Sequence, residues 1–270
     1  MLQALFEEGI RPDLLVGTSA GAVNAAWVAG YPHGDGVREL AGIWRGLRRQ
    51  DIFPISPWAG ARGLFGRTNH VISNAGLRAL IERHIPYGRL QDAALPVHVV
   101  ATDLRTGHGV VLSSGPAVPA LLASTAIPGI FPPVTIGRRE LVDGGVADMT
   151  PIAAAIEQGA TQVYVLPIGY PWFRQEQTNA IGMALQALAR VVEQRLHVEI
   201  AVHKYSADIC VLPTIDGPAV SPADFSRTPE LISRAYRVTR RYLSRPRERD
   251  GASQRRVLEL ALMAEPARVA

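Results

Sequence analysis

Leu14-Leu15-Val16-Gly17-Thr18-Ser19-Ala20-Gly21-Ala22-Val23-Asn24-Ala25-Ala26 is the stretch that decides the fold. Leu14 to Val16 reads as a short buried strand, Gly17 to Gly21 as a tight turn, and the small residues from Ala20 to about Ala29 as a helix. A strand feeding a helix through a glycine-flanked turn is a building unit of α/β proteins. The turn also matches the Gly-x-Ser-x-Gly nucleophile elbow. Glycines at both ends let the chain reverse without a Cβ clash, and the helix aims its positive N-terminal end at Ser19. By itself such a turn either carries a nucleophile or only packs a helix on a sheet. The strand before it and the helix after it favour the nucleophile.

Working outward, Leu2, Leu5 and Phe6 have helical spacing, with Gly9 as the stop and no capping residue ahead of Leu2. Val37, Leu40, Ile43, Trp44 and Leu47 predict a helix, and Asp51 to Thr68 a loop or lid. Asn74 is placed to cap a helix whose inner face is Leu77, Leu80, Ile81 and His84. Val97 to Leu104 and Gly109 to Ser113 read as paired strands, Ala117 to Ala123 as a short helix. Glu140 to Val142 is a strand ending in Asp143-Gly144-Gly145. Thr150-Pro151 opens a helix that Gly159 closes. Gln162 to Ile168 and Ile209 to Leu212 are further strands, separated by a long amphipathic helix from about Asn179 to Lys204. From Pro229 onward two Arg-rich helices are expected, joined by a flexible Arg245 to Ser253. Strands alternating with helices imply a parallel or mixed sheet covered on both faces.

With 270 residues, 47% of them hydrophobic, the chain has material for one large α/β domain. The net charge is +4, and Lys204 is the single lysine among many arginines. Arg45 to Arg49 and Arg234 to Arg256 are Arg-dense; they read either as solvated faces or as contacts for anionic lipid headgroups. Cys210 is the only cysteine, which rules out an intrachain disulfide, and its setting reads as a buried strand. We read no signal peptide, no membrane span, no metal-ligand set and no cofactor motif, and expect a soluble, cytoplasmic protein, peripheral to membranes at most. Nothing points to nucleic acid.

A nucleophilic serine needs a base. Each of the seven histidines has an ordinary structural reading. Asp143, at a strand end before two glycines, lies where ligands gather in open α/β sheets, although Asp-Gly-Gly is also a plain turn.

Gly17 to Gly21, the stretch Ala123-Ser124-Thr125-Ala126-Ile127-Pro128-Gly129-Ile130-Phe131-Pro132-Pro133, and Asp143-Gly144-Gly145 together resemble three ordered blocks of the patatin-like phospholipase family. Ala101-Thr102-Asp103-Leu104, Gly107 and Asp148-Met149-Thr150-Pro151 resemble it too. The similarity runs from Met1 to about Leu212. It implies a three-layer α/β/α sandwich with a mostly parallel central sheet, a hydrolase domain over 1–215 and an Arg-rich helical extension over 216–270. It also implies a Ser19–Asp143 dyad acting on lipid acyl esters without histidine. Ala20 N–H is the oxyanion donor that carries over. The family's opening strand and Gly-rich oxyanion loop do not precede Leu2 here, and we expect an upstream in-frame start to restore them. Two other readings stay open, a non-catalytic lipid-surface or regulatory protein of this fold and an α/β-hydrolase with a Ser-His-Asp triad.

Overall fold

The computed structural model describes residues 1–53, 70–167, 194–215 and 224–245. Helix α1 (Leu2–Glu7) buries Ala4, Leu5 and Phe6, and Met1 ahead of it makes no side-chain cap. Gly9, at φ +77°, turns the chain toward strand β1 (Leu15–Thr18). Helix α2 (Ala20–Gly30) follows at once, then α3 (Gly34–Gly46) and the single turn α4 (Arg49–Ile52). His33 is not an idle loop residue: its ring accepts the Gly36 N–H at 3.0 Å and caps α3. Helix α5 (Ala75–His84) buries Leu77 and Ile81 as expected. Asn74 does not cap it with its side chain; Ser73 Oγ accepts the Ala75 N–H at 3.2 Å instead.

Strands β2 (Val97–Asp103) and β3 (Gly109–Leu112) pair antiparallel, and helix α6 (Ala117–Ser124) packs on β2. Next comes an antiparallel hairpin of β4 (Val134–Ile136) and β5 (Arg139–Asp143), closed by Gly137 at φ +61°. The sequence signalled β5 but not β4, a three-residue strand directly behind Pro132-Pro133. Helix α7 (Ile152–Glu157) starts one residue later than Thr150-Pro151 suggested, because Pro151 occupies the cap position. Strand β6 (Gln162–Val165), the helical residues 194–203 (α8), strand β7 (Asp208–Val211) and helix α9 (Thr228–Leu243) complete the described chain.

The main sheet is mixed: β1 lies parallel to β2, while β3, β4 and β5 join by antiparallel pairing. β6 and β7 form a separate parallel pair. Helical connections separate the parallel pairs, and short turns join the hairpins, as the geometry of each pairing requires. Val97 and Val99 of β2 meet Ala22, Ala25, Ala26 and Ala29 of α2, Leu77 and Ile81 of α5, and Leu121 and Leu122 of α6 in the main core. Alanines on α2 let that helix approach the sheet closely. Ile152, Val165, Ile200 and Ile209 bind α7 and α8 to the β6–β7 pair. This is the three-layer α/β/α class. Cys210 is buried in β7, its sulfur 3.9 Å from Tyr242 Oη.

Helix α9 lies on α1 and α3. Tyr236 donates to Glu7 at 2.6 Å, and Arg240 pairs with Glu8. Most of the expected lid, most of the long helix from Asn179, and the second Arg-rich helix with its linker lie outside the described residues. Among the described residues no helix is long and apolar enough to cross a membrane.

Candidate active site

Strand β2 brings the two ends of the site together. Its residues Val99, Val100, Ala101 and Thr102 pair with β3 along one edge. The opposite edge is shared: Leu15 to Thr18 of β1 lie against Val97 to Val100, and Leu141 to Asp143 of β5 lie against Ala101 to Asp103. The two strands therefore run toward each other along the same edge. Thr18 ends opposite Val100 and Asp143 opposite Ala101, so Ser19 and Asp143 leave the sheet at adjoining points.

Close backbone approach makes this junction possible. A Cβ on Gly17 would lie 2.5 Å from the carbonyl oxygen of Gly21, and one on Gly144 would lie 2.3 Å from that of Val100. Neither side chain could exist without moving backbone. Gly21 is different, since a Cβ there meets nothing within 4 Å. The expectation that both flanking glycines of the elbow are sterically required holds for Gly17 alone. A Cβ on Gly145 would press on the flexible end of Met149, which can yield.

Ser19 is the one described non-glycine residue with positive φ, at φ 55° and ψ −129°. Such backbone costs of order 1–3 kcal/mol and persists only where the surroundings enforce it. Its Oγ donates to Asp143 Oδ2 at 2.6 Å. Its N–H goes to Ser124 Oγ at 2.9 Å, and so does not face an incoming carbonyl. The N–H groups of Ala20 and Gly21 open α2, where no intrahelical acceptor exists for them. The positive end of the helix thus lies beside the hydroxyl.

Asp143 is only 4% exposed. Its Oδ1 accepts the Gly145 N–H at 2.8 Å, which leaves Oδ2 to Ser19. Its carbonyl oxygen accepts Thr102 Oγ1–H at 2.8 Å, and the same Thr102 oxygen accepts the Ala147 N–H at 3.1 Å. Burial raises the carboxyl to about 6, against the opposing pull of its bonds to Ser19 and Gly145. It is therefore ionised near neutrality yet far more basic than an exposed aspartate. Asp148 is also raised to about 6, by burial and then by the nearby Glu199. Its backbone carbonyl accepts Thr18 Oγ1–H at 2.9 Å.

No histidine ring is hydrogen-bonded to Ser19 among the described residues. His98 Nδ1 meets Ser113 Oγ at 2.7 Å, His203 lies 3.6 Å from Glu199, and His33 caps α3. The sequence singled out Ser19, Asp143 and Ala20, and the fold places Ser19 Oγ against Asp143 with Ala20 opening α2 beside it. Sequence reasoning assigned no part to Thr102 or to the Ser124 hydroxyl, whose partners lie far away in the chain.

The geometry is that of a serine elbow facing a buried carboxylate across the edge of one strand. The sequence model of the patatin-like phospholipase family matches residues 1–156, more than half of the chain, and the chain belongs to that family. Among its relatives is an uncharacterized NTE family protein of Mycobacterium tuberculosis (strain CDC 1551 / Oshkosh), 33% identical over 150 residues. That match covers 55% of this chain and 24% of the relative. A second uncharacterized NTE family protein, of Mycobacterium bovis, is 31% identical over 57% of this chain and 40% of its own. The lysophospholipase NTE1 of Mycosarcoma maydis is 25% identical over 63% of this chain and 9% of its own. The chain thus spans well under half the length of these relatives.

Proposed function

We propose that this chain is a serine acyl hydrolase that cleaves lipid acyl esters of phospholipase or lysophospholipase type through Ser19 and Asp143. The observation that carries the reading is the 2.6 Å hydrogen bond from Ser19 Oγ to Asp143 Oδ2. As Ser19 Oγ attacks the ester carbonyl carbon, its proton passes to Asp143. The carbonyl oxygen becomes an oxyanion, and the Ala20 N–H at the head of α2 is the donor we assign to it. Collapse of the tetrahedral species breaks the bond to the alcohol, which leaves with the proton held by Asp143. Water then attacks the acyl-Ser19 ester, giving its proton to Asp143, and release of the fatty acid returns that proton to Ser19. The carboxyl near 6 suits both halves of this cycle. Membership of the patatin-like phospholipase family, and a relative named lysophospholipase, support a lipid ester as substrate.

We take residues 1–215 as the hydrolase domain and 216–270 as a basic extension. Arg45, Arg48 and Arg49 are exposed at the junction of α3 and α4, which suits peripheral contact with anionic lipid.

The test is turnover of a lysophospholipid and of a short-chain aryl ester. Ser19→Ala and Asp143→Asn are expected to abolish both, while each of the seven single His→Ala variants keeps activity. A histidine variant as inactive as Ser19→Ala would replace the dyad with a triad.

A further inference from the structure

The parallel ladder between β1 and β2 has a regular rhythm that stops at the nucleophile. Leu15 lies opposite Val97, and its N–H donates to the carbonyl one residue earlier, that of Pro96, at 2.9 Å. In a parallel pair such bonds are evenly spaced along the strand. Two residues on, Gly17 lies opposite Val99 and the acceptor in step is His98. Two residues further, the N–H of Ser19 is in step with the carbonyl oxygen of Val100. That bond is not made. Ser124 Oγ stands between the two groups: it accepts the Ser19 N–H at 2.9 Å and donates its own proton to Val100 O at 2.6 Å.

Both bonds use the hydroxyl fully. A serine oxygen offers one proton and two lone pairs, and here the proton is committed to Val100, so a lone pair faces Ser19. Ser124 is 0% exposed, so water cannot take over either bond. Lengthening one ladder bond by a hydroxyl moves the Ser19 backbone away from β2 while keeping it tied to the sheet. The chain needs that displacement at this point, because β5 arrives on the same edge at Ala101 and Gly144 packs against the Val100 carbonyl. It is also where Ser19 holds its positive φ.

We propose that Ser124 is a positioning residue for the nucleophile: its hydroxyl, inserted into the last β1–β2 ladder bond, sets the height at which Ser19 meets Asp143 and the substrate. Ser124 does not touch the reacting atoms. The proposal rests on Ser19 being the nucleophile.

The experiment measures the rate constant for covalent labelling by a fluorophosphonate, together with kcat and KM for a short-chain aryl ester. The labelling end point counts folded, competent enzyme, so the rate constant reports on nucleophile placement apart from folding yield. Ser124→Ala is expected to label to completion but about 10- to 100-fold more slowly, the scale of loss that misplacement near 1 Å produces. kcat should fall in proportion with KM little changed. Ser124→Cys fills the site with a poor acceptor and is expected to slow labelling likewise, which keeps the test open if Ser124→Ala does not fold. Thr125→Ala is the control. It removes the neighbouring buried hydroxyl, which bonds only to the Leu121 and Leu122 carbonyls of its own helix. It should lower the melting temperature and leave the rate constant unchanged. A slowing of less than about fivefold in the Ser124 variants, or an equal slowing in Thr125→Ala, would overturn the proposal, because misplacement predicts a larger and specific loss. Failure of Ser19→Ala to abolish labelling would instead overturn the reading of Ser19 beneath it.

Discussion

A methyl group at Gly17 would strike the Gly21 carbonyl at 2.5 Å, and the same group at Gly21 would meet nothing. Gly17→Ala is therefore expected to destabilise the fold by at least the usual overpacking cost of about 1–3 kcal/mol. Gly21→Ala, inside α2, is expected to be neutral or stabilising by up to about 1 kcal/mol, since alanine is the better helix former. Thermal unfolding of the two variants checks this, and equal losses would contradict it. The Gly-x-Ser-x-Gly pattern alone could not separate the two glycines. Which one is crowded depends on the Ser19 dihedral angles and the rise of α2. Ser19 and Asp143 were legible because each closes an apolar strand with a turn of small residues. Ser124 was visible only as part of a motif; its role depends on a strand pairing 24 residues back and a nucleophile 105 residues back.

At the scale of elements, strands β1, β2 and β5 were readable from their apolar runs, but not their meeting along one edge of β2. Single-residue alternation says which face a side chain takes, not which edge a neighbour joins. The approach of α8 to Asp148 was equally hidden, and it gives a testable pH effect. Asp148, whose carbonyl accepts the Thr18 hydroxyl and whose carboxyl feels the Glu199 charge, has one carboxylate oxygen buried without a hydrogen-bond partner among the described residues, as does Glu199 of α8. Arg195 and His203, also on α8, only partly offset the burial and the Glu199 charge. An acid whose pKa rises on folding, here from 3.8 to about 6, binds its proton more tightly in the native state. Its contribution to stability is fully present below about pH 4, falls as pH rises toward 6, and stays lost above that. Asp148→Asn removes the charge, and its amide oxygen can still accept the Thr150 N–H. It is expected to raise the melting temperature at pH 8, by at most about 3 kcal/mol in stability, with the gain vanishing near pH 4. A gain that is equal at both pH values would show that the carboxylate charge is not its cause.

For the whole molecule, the α/β/α class followed from strands alternating with helices, and the order of three short blocks narrowed it further. The placing of α9 did not follow. Its Arg-rich sequence suggested a solvated tail, yet Tyr236 and Arg240 tie it to Glu7 and Glu8 on α1. Arg237 and Arg241 on α9 remain exposed, as do Arg45, Arg48 and Arg49 beyond α3. If these groups meet lipid, binding to vesicles rich in anionic lipid should weaken steeply between low and high salt, because exposed charges are screened within about 8 Å at physiological ionic strength. Replacing Arg45, Arg48 and Arg49 by glutamate should weaken it further at low salt. Binding that ignores both salt and these substitutions would return the arginines to a purely solvating role.

The central claim is that Ser19 is activated by Asp143 alone, and the pH dependence of fluorophosphonate labelling, with the modified peptide identified by mass spectrometry, tests it most directly. Asp143 must be ionised to accept the serine proton, so the rate constant should rise as pH increases through about 6, not through the 3.8 of an ordinary aspartate. We expect a single adduct on Ser19 in the wild type, with that profile, and no measurable labelling in Asp143→Asn. An adduct on another residue, or an Asp143→Asn protein that labels at the wild-type rate with the same profile, would contradict it.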